Sequence, residues 1–308
     1  MEQVQPANVD TLTRDITWEI LGAFNLPRDG RWQDRLGWIF HKPAHRFSEI
    51  FAKFDQDIYN LGLSQASKNL LSHFADSSTA VGCELVPKEG PVLLASNHPG
   101  TMDAVSIMAN MCRDDVKVIV GGMPFLQSLP VGKNYTIMVT RDDDSLRANA
   151  VRRSIQHLQN GGAVLIFPSG QIDPDPAVLP GAREALEKWS KSIAIMLRRV
   201  PETKLVSAIT SGVLHEKFTR SPLTFLKNDS IGKRRIMEFI QVMRQLLLKE
   251  DLGLKPLVTF DEPVTLQELF DEKKADASEI IQRIIQRAKR LYEVHESLLK
   301  ARLTSENK

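Results

Sequence analysis

Seven residues carry the most chemistry in this chain: Asn97-His98-Pro99-Gly100-Thr101-Met102-Asp103. A histidine and an aspartate five positions apart point to different sides of one unbroken helix, where only three- and four-residue spacings face each other. The Pro99-Gly100 breaker lifts that restriction, because it leaves His98 before a helix and Asp103 inside its first turns. Asp103 can then accept a hydrogen bond from one imidazole nitrogen and leave the other as an acceptor, the arrangement of a general base. A helix N-terminus nearby predicts a neutral imidazole. Equally open from spacing alone is chance: the chain has seven histidines, and a histidine at a strand end often serves only the loop.

Positioning such a pair takes a strand and a helix. The run Val92 to Ala95 is apolar without alternation and too short for a helix, which predicts a strand buried on both faces. Thr101 is expected to cap a helix through Met102, Val105, Ile107 and Met108. His98 then falls at the carboxyl end of a buried strand, where open α/β sheets place ligands.

The stretch resembles the glycerolipid acyltransferase family, which includes the lysophosphatidic acid and glycerol-3-phosphate acyltransferases and whose first block is Asn-His, four residues, then Asp. Later blocks follow in the family's order. Thr136-Ile-Met-Val-Thr-Arg141 is similar to the second, an apolar strand ending in an arginine. Ala163-Val-Leu-Ile-Phe167-Pro168-Ser169-Gly170 is similar to the third. Leu205-Val-Ser207-Ala-Ile209 is a poor match to the fourth, with Ser207 where the family has proline. The resemblance spans roughly residues 80 to 215.

It implies an O-acyltransferase that moves a fatty acyl group from an acyl thioester, acyl-CoA or acyl carrier protein, to a hydroxyl of glycerol-3-phosphate or a lysophospholipid. His98 is the implied base and Asp103 its orienting partner, with no metal and no cofactor beyond the thioester co-substrate. Arg141, with Lys133 and Arg183 as further candidates, is expected to hold the acceptor's head group, since a guanidinium binds phosphate bidentately. Phe167, Pro168, Ser169 and Gly170 are expected to line the substrate. Backbone N–H groups near Gly170 or Thr101 are the expected oxyanion donors. The third block departs from the commonest pattern, which has glutamate at the Ser169 position and an arginine soon after the glycine. The soluble plastid branch shares Pro-Ser-Gly but keeps that arginine; here Gln171, Ile172 and Asp173 follow. That loss leaves two rivals in play: a catalytically silent lipid-binding scaffold, and a lipid hydrolase using Ser169, although no Gly-X-Ser-X-Gly elbow is present.

The rest of the chain frames this region. At 308 residues, with 42% hydrophobic and 25% charged content, it has an ordinary globular composition. A net charge of +2 and the lack of a zinc-finger-like motif argue against nucleic acid as a partner. Cys83 and Cys112 lack metal-ligand spacing and suit buried positions in a reducing compartment. Neither a signal peptide nor a membrane-spanning run is visible, so the expected location is the cytoplasm, free or peripheral on a membrane. The predicted fold is α/β, a mixed sheet flanked by helices and preceded by an N-terminal helical module over 1–78. Residues 79–308 form the acyltransferase α/β domain, closing with an amphipathic helix near 277–302. Expected strands are 83–86, 92–95, 116–120, 136–140, 163–167, 205–209 and 257–260, with helices at 101–112, 144–160, 182–198 and 233–249. Trp32, Trp38 and Phe40 beside Lys42 and Arg46 fit either a membrane-surface anchor or an aromatic core with a basic outer face.

Overall fold

The computed structural model describes residues 5–23, 30–121, 123–140, 143–270 and 276–306, without the side chains of Ala23, residues 30–36, Leu303, Ser305 and Glu306. Helices α1 (Val9–Ala23), α2 (Gly30–Leu61) and α3 (Leu63–Leu71) come first. Then β1 (Thr79–Val81), β2 (Val92–Ser96), α4 (Asp103–Asn110), β3 (Val116–Gly121), β4 (Thr136–Val139), α5 (Asp144–Gln159) and β5 (Ala163–Ile166) alternate. The chain closes through α6 (Ala182–Ala185), α7 (Ser192–Arg199), β6 (Lys204–Ser211), α8 (Ser230–Leu248), β7 (Leu257–Phe260), α9 (Leu266–Leu269) and α10 (Ala277–Glu306).

The strands form one sheet in the order β1-β7-β6-β2-β5-β3-β4. Every pairing is parallel except β6 with β7, so the sheet is mixed, as predicted. β2 lies between β5 and β6, parallel to both, and all five of its residues are buried. Alternate side chains explain why it shows no polar face. Val92 and Leu94 pack into a core with Phe47 and Phe51 of α2, Phe74 just after α3, and Ile107 of α4. Leu93 and Ala95 pack on the other side with Ile193, Leu197, Ile281 and Ile284 of α7 and α10. The N-terminal helices therefore share one continuous core with a sheet face.

Several expected boundaries shift. Residues 83–85 form a 3₁₀ turn, and the strand of that region is β1, four residues earlier. The helix expected at 182–198 is two short helices with 3₁₀ and irregular backbone between them. Pro43 lies inside α2 without ending it. Cys83 is half-buried and Cys112 exposed, so neither is a core residue. Trp38 is 74% exposed, which removes it from any aromatic core, whereas Phe40 packs edge-to-face on Phe239 of α8. The side chain of Trp32 lies outside the described residues.

Candidate active site

Because β2, β5 and β6 run parallel, their carboxyl ends meet at the middle of one sheet edge, and the loops leaving them build the site. Asn97, the first residue beyond β2, ties two of these ends together. Its amide nitrogen donates to the Thr210 carbonyl at 2.9 Å and its Oδ1 accepts from the Thr210 N–H at 2.8 Å. His98 follows at once, with 28% of its side-chain surface open.

His98 Nδ1 donates to Asp103 Oδ2 at 2.7 Å. A carboxylate only accepts, so in the neutral ring this bond fixes the Nδ1–H tautomer and leaves Nε2 as the acceptor. Nε2 makes no hydrogen bond among the described residues. Asp103 is buried and itself held, its Oδ1 accepting from the Ala104 N–H at 2.5 Å and its Oδ2 from the Gly100 N–H at 3.2 Å. Asp103 is the first residue of α4, and Thr101 does not cap that helix; the turn binds elsewhere. The Phe167 ring stacks on the imidazole with centroids 4.5 Å apart. The ring is thus held in its plane by Phe167 and in its rotation by Asp103.

The loop after β5 adds a second clamp. Asp173 Oδ2 accepts from the His98 N–H at 3.0 Å and from the Ser169 hydroxyl at 2.9 Å, while the Asp173 N–H donates to the His98 carbonyl at 2.7 Å. Asp175, two residues on, is fully buried and accepts from the N–H groups of Ala177, Gly212, Val213 and Leu214, all within 3.0 Å. Where the family resemblance expects a cation, this chain uses two acids to lock the loops after β2, β5 and β6 together. Gly170 turns this loop with a φ of +62°, a conformation that favours glycine, and a side chain there would meet open space. Its N–H already donates to the Phe167 carbonyl at 3.0 Å.

Helix α8 closes the site from residues that the motifs do not reach. Glu238 is buried and its Oε1 accepts from the Thr101 N–H at 2.7 Å. One turn earlier, Arg234 Nε donates to the Ile172 carbonyl at 2.8 Å. Of the N–H groups in the region expected to supply oxyanion donors, those of Thr101 and Gly170 are engaged within the protein.

The electrostatics reverse one expectation. Burial pulls the His98 pKa down, but Asp103, with Glu238 and Asp173 behind it, outweighs burial and pushes it up to about 9. The acids, not the helix terminus, set the charge of the ring. Burial pushes Glu238 up to about 8, with Asp103 adding to the rise. Burial likewise raises Asp173 and Asp175.

Of the expected site residues, His98, Asp103, Phe167, Pro168, Ser169 and Gly170 come together on this edge. Ser169 makes no hydrogen bond with His98; its hydroxyl is engaged with Asp173 and the Gln171 carbonyl, which leaves it unactivated as a nucleophile. Lys133 does not join them: it precedes β4, and register across the parallel strands puts it at the opposite edge from His98. Arg183 pairs instead with Glu293 of α10 at 2.9 Å. Arg141 lies outside the described residues. The expected motifs gave no notice of Glu238, of a place for Arg234 beside this turn, or of the clamping role of Asp173. For the last, the substitution of acid for base after Gly170 was the available signal.

Residues 78–205 match the family model described as Acyltransferase. No curated protein matches the chain in sequence. Among solved structures the chain is similar to the 1-acyl-sn-glycerophosphate (LPA) acyltransferase PlsC from Thermotoga maritima. The identity is 14% and the TM-score 0.47, over 94% of this chain and 97% of that one. The matched stretch, residues 78–205, holds the His98–Asp103 pair and the Phe167–Gly170 turn.

Proposed function

We propose that the protein transfers a fatty acyl group from an acyl thioester, acyl-CoA or acyl carrier protein, to a hydroxyl of a glycerol-3-phosphate or lysophospholipid-type acceptor. The observation that carries this reading is the 2.7 Å bond from His98 Nδ1 to Asp103, with Nε2 left as an acceptor at an open sheet edge. In the reaction, Nε2 takes the acceptor's hydroxyl proton as its oxygen attacks the thioester carbonyl. The tetrahedral adduct expels the thiolate, and the imidazolium returns its proton to that sulfur. Asp103 balances the transient charge, and Phe167 keeps the ring in plane. The reaction needs no acyl-enzyme, and Ser169 serves the loop rather than the chemistry.

Arg141 is kept as a head-group ligand on the strength of the family resemblance. No described helix is long and apolar enough to cross a membrane. The exposed Trp38 and Ile39, beside Lys42, support contact with a lipid surface, where a lysophospholipid acceptor resides.

The test is transfer of labelled acyl groups from acyl-CoA and acyl carrier protein to glycerol-3-phosphate, lysophosphatidate and neutral hydroxylated lipids, for wild type and His98→Ala. Transfer that depends on His98 supports the reading. A folded wild type that transfers to none of these acceptors overturns it.

A further inference from the structure

Arg234 is an anomaly in charge accounting. It is 91% buried, yet it forms no ion pair among the described residues. Its one hydrogen bond is from Nε to the Ile172 carbonyl. The two terminal nitrogens donate to nothing described, and they are not among the sealed, unpartnered polar atoms, so they face accessible space. A buried cation without a contacting counter-ion is costly, and proteins ordinarily pair it.

The acids nearby already have other partners. Asp103 has His98, Asp173 has the His98 N–H and the Ser169 hydroxyl through Oδ2, its Oδ1 being sealed away without a hydrogen-bond partner, and Asp175 has four backbone N–H groups. Asp229 caps α8 through the Gly232 N–H at 2.7 Å. Glu238 holds the Thr101 N–H. Arg234 lies in the field of Asp173 and Asp229, but its guanidinium makes no hydrogen bond or ion pair with either among the described residues.

Its position is fixed by two anchors. Ile172, which Arg234 touches, precedes Asp173, which touches His98. Glu238 lies four residues further along the same helix face and touches the turn after His98. Arg234 therefore stands beside the loop where the third block lacks its arginine.

We propose that Arg234 is a phosphate ligand of the acyl-transfer site, supplied from α8 in place of the arginine missing after Gly170. The inference rests on the acyl-transfer reading above for its substrate and on the unpaired guanidinium for its chemistry. The planar fork, tethered through Nε, presents its terminal N–H groups to phosphate oxygens. Two sources carry that group: a phosphorylated acceptor, or the phosphates of the acyl donor.

The experiment compares wild type, Arg234→Gln and Arg234→Lys in two measurements. The first is equilibrium binding of glycerol-3-phosphate and of glycerol. The second is steady-state transfer with phosphorylated and neutral acceptors, from acyl-CoA and from a phosphate-free acyl-N-acetylcysteamine thioester. Loss of charge-assisted hydrogen bonds predicts that Arg234→Gln weakens binding, or raises KM, for the phosphate-bearing substrate by on the order of 10- to 100-fold, with the lysine variant between. An effect that follows the acceptor's phosphate assigns the site to the acceptor; one that follows acyl-CoA alone assigns it to the donor. Equal losses for phosphorylated and phosphate-free substrates, or no loss at all, overturn the proposal. A wild type that transfers nothing counts against the acyl-transfer reading, and the binding arm then still decides on Arg234. Melting curves of both variants separate misfolding from lost recognition.

Discussion

Glu238 reaches the backbone N–H of Thr101 at 2.7 Å across 137 residues of sequence. Through that bond a helix outside the family match braces the turn that carries His98 and Asp103, and brings a carboxyl group into the field of the imidazole. Substituting Glu238→Gln keeps an acceptor for Thr101 and removes the charge. His98 then holds its proton less tightly, and the pH–rate profile of acyl transfer moves toward lower pH with the fold intact. A loss of rate at every pH with an unmoved profile would instead mark Glu238 as a brace alone.

The His98 pKa of about 9 sets the pH dependence of the wild type. Only the neutral ring accepts a proton, so transfer rises with pH and levels off above that value. His98→Ala should lower the rate by ~10²–10⁴-fold and abolish the rising limb. Initial rates from pH 6 to 10 check both, and a flat wild-type profile counts against His98 as the base.

Stability should run the other way. His98 titrates near 6.5 when unfolded and near 9 when folded, and Glu238 near 4.5 and near 8. Across both windows the folded protein binds more protons, so stability falls as pH rises. The Glu238 contribution is complete below about 4.5 and lost through about 8; that of His98 is complete below about 6.5 and lost through about 9. Thermal unfolding from pH 5 to 9 should show the decline, and Glu238→Gln should make it shallower. A melting temperature that climbs over this range contradicts the assignment.

Asp175 offers a test of the loop clamp. Asp175→Ala strips a buried acceptor from the N–H groups of Gly212, Val213 and Leu214. Each buried donor left unpaired costs about 1–3 kcal/mol, so a loss on the order of 3 kcal/mol or more is expected in denaturant titrations. Asp175→Asn retains one acceptor oxygen and should lose less. Equal stability of all three proteins would show that water replaces the carboxylate without penalty.

Gly100 tests how tightly α8 sits. A Cβ there would collide with Glu238 Oε1, so Gly100→Ala must drive the carboxyl off Thr101. Activity should drop, and the double variant with Glu238→Ala should recover part of it. Two losses that simply add would show that the residues do not meet.

How far the sequence foretold this arrangement depended on range. β2 was legible because five buried residues without alternation have few other uses, and the His98–Asp103 pair because a Pro-Gly turn fixes its geometry locally. Asp173 was visible only as a departure, since its bonds to His98 span 75 residues. Arg234 showed only as part of the basic run Lys233-Arg234-Arg235, which suits an acidic carrier protein or a solvated helix start, and Glu238 left no local trace: on an amphipathic helix, polar residues that face a site read like those that face water. The expected strand at 83–86 failed because a short apolar run also suits a 3₁₀ turn packed against the sheet edge. Lys133 was placed by its nearness to Arg141 in sequence, but strand direction carried it to the far edge.

The sheet order also bears on how the protein is made. β1 pairs only with β7, near residue 257, and β2 gains one of its two neighbours from β6, after residue 204. On the ribosome, His98 and Asp103 emerge early, but the strand that holds Asn97 in place and the helix that braces Thr101 emerge more than 100 residues later. The reactive turn is therefore set only after β6 and α8 have emerged. Until then its apolar strand is an open edge that a chaperone or a neighbouring chain can occupy.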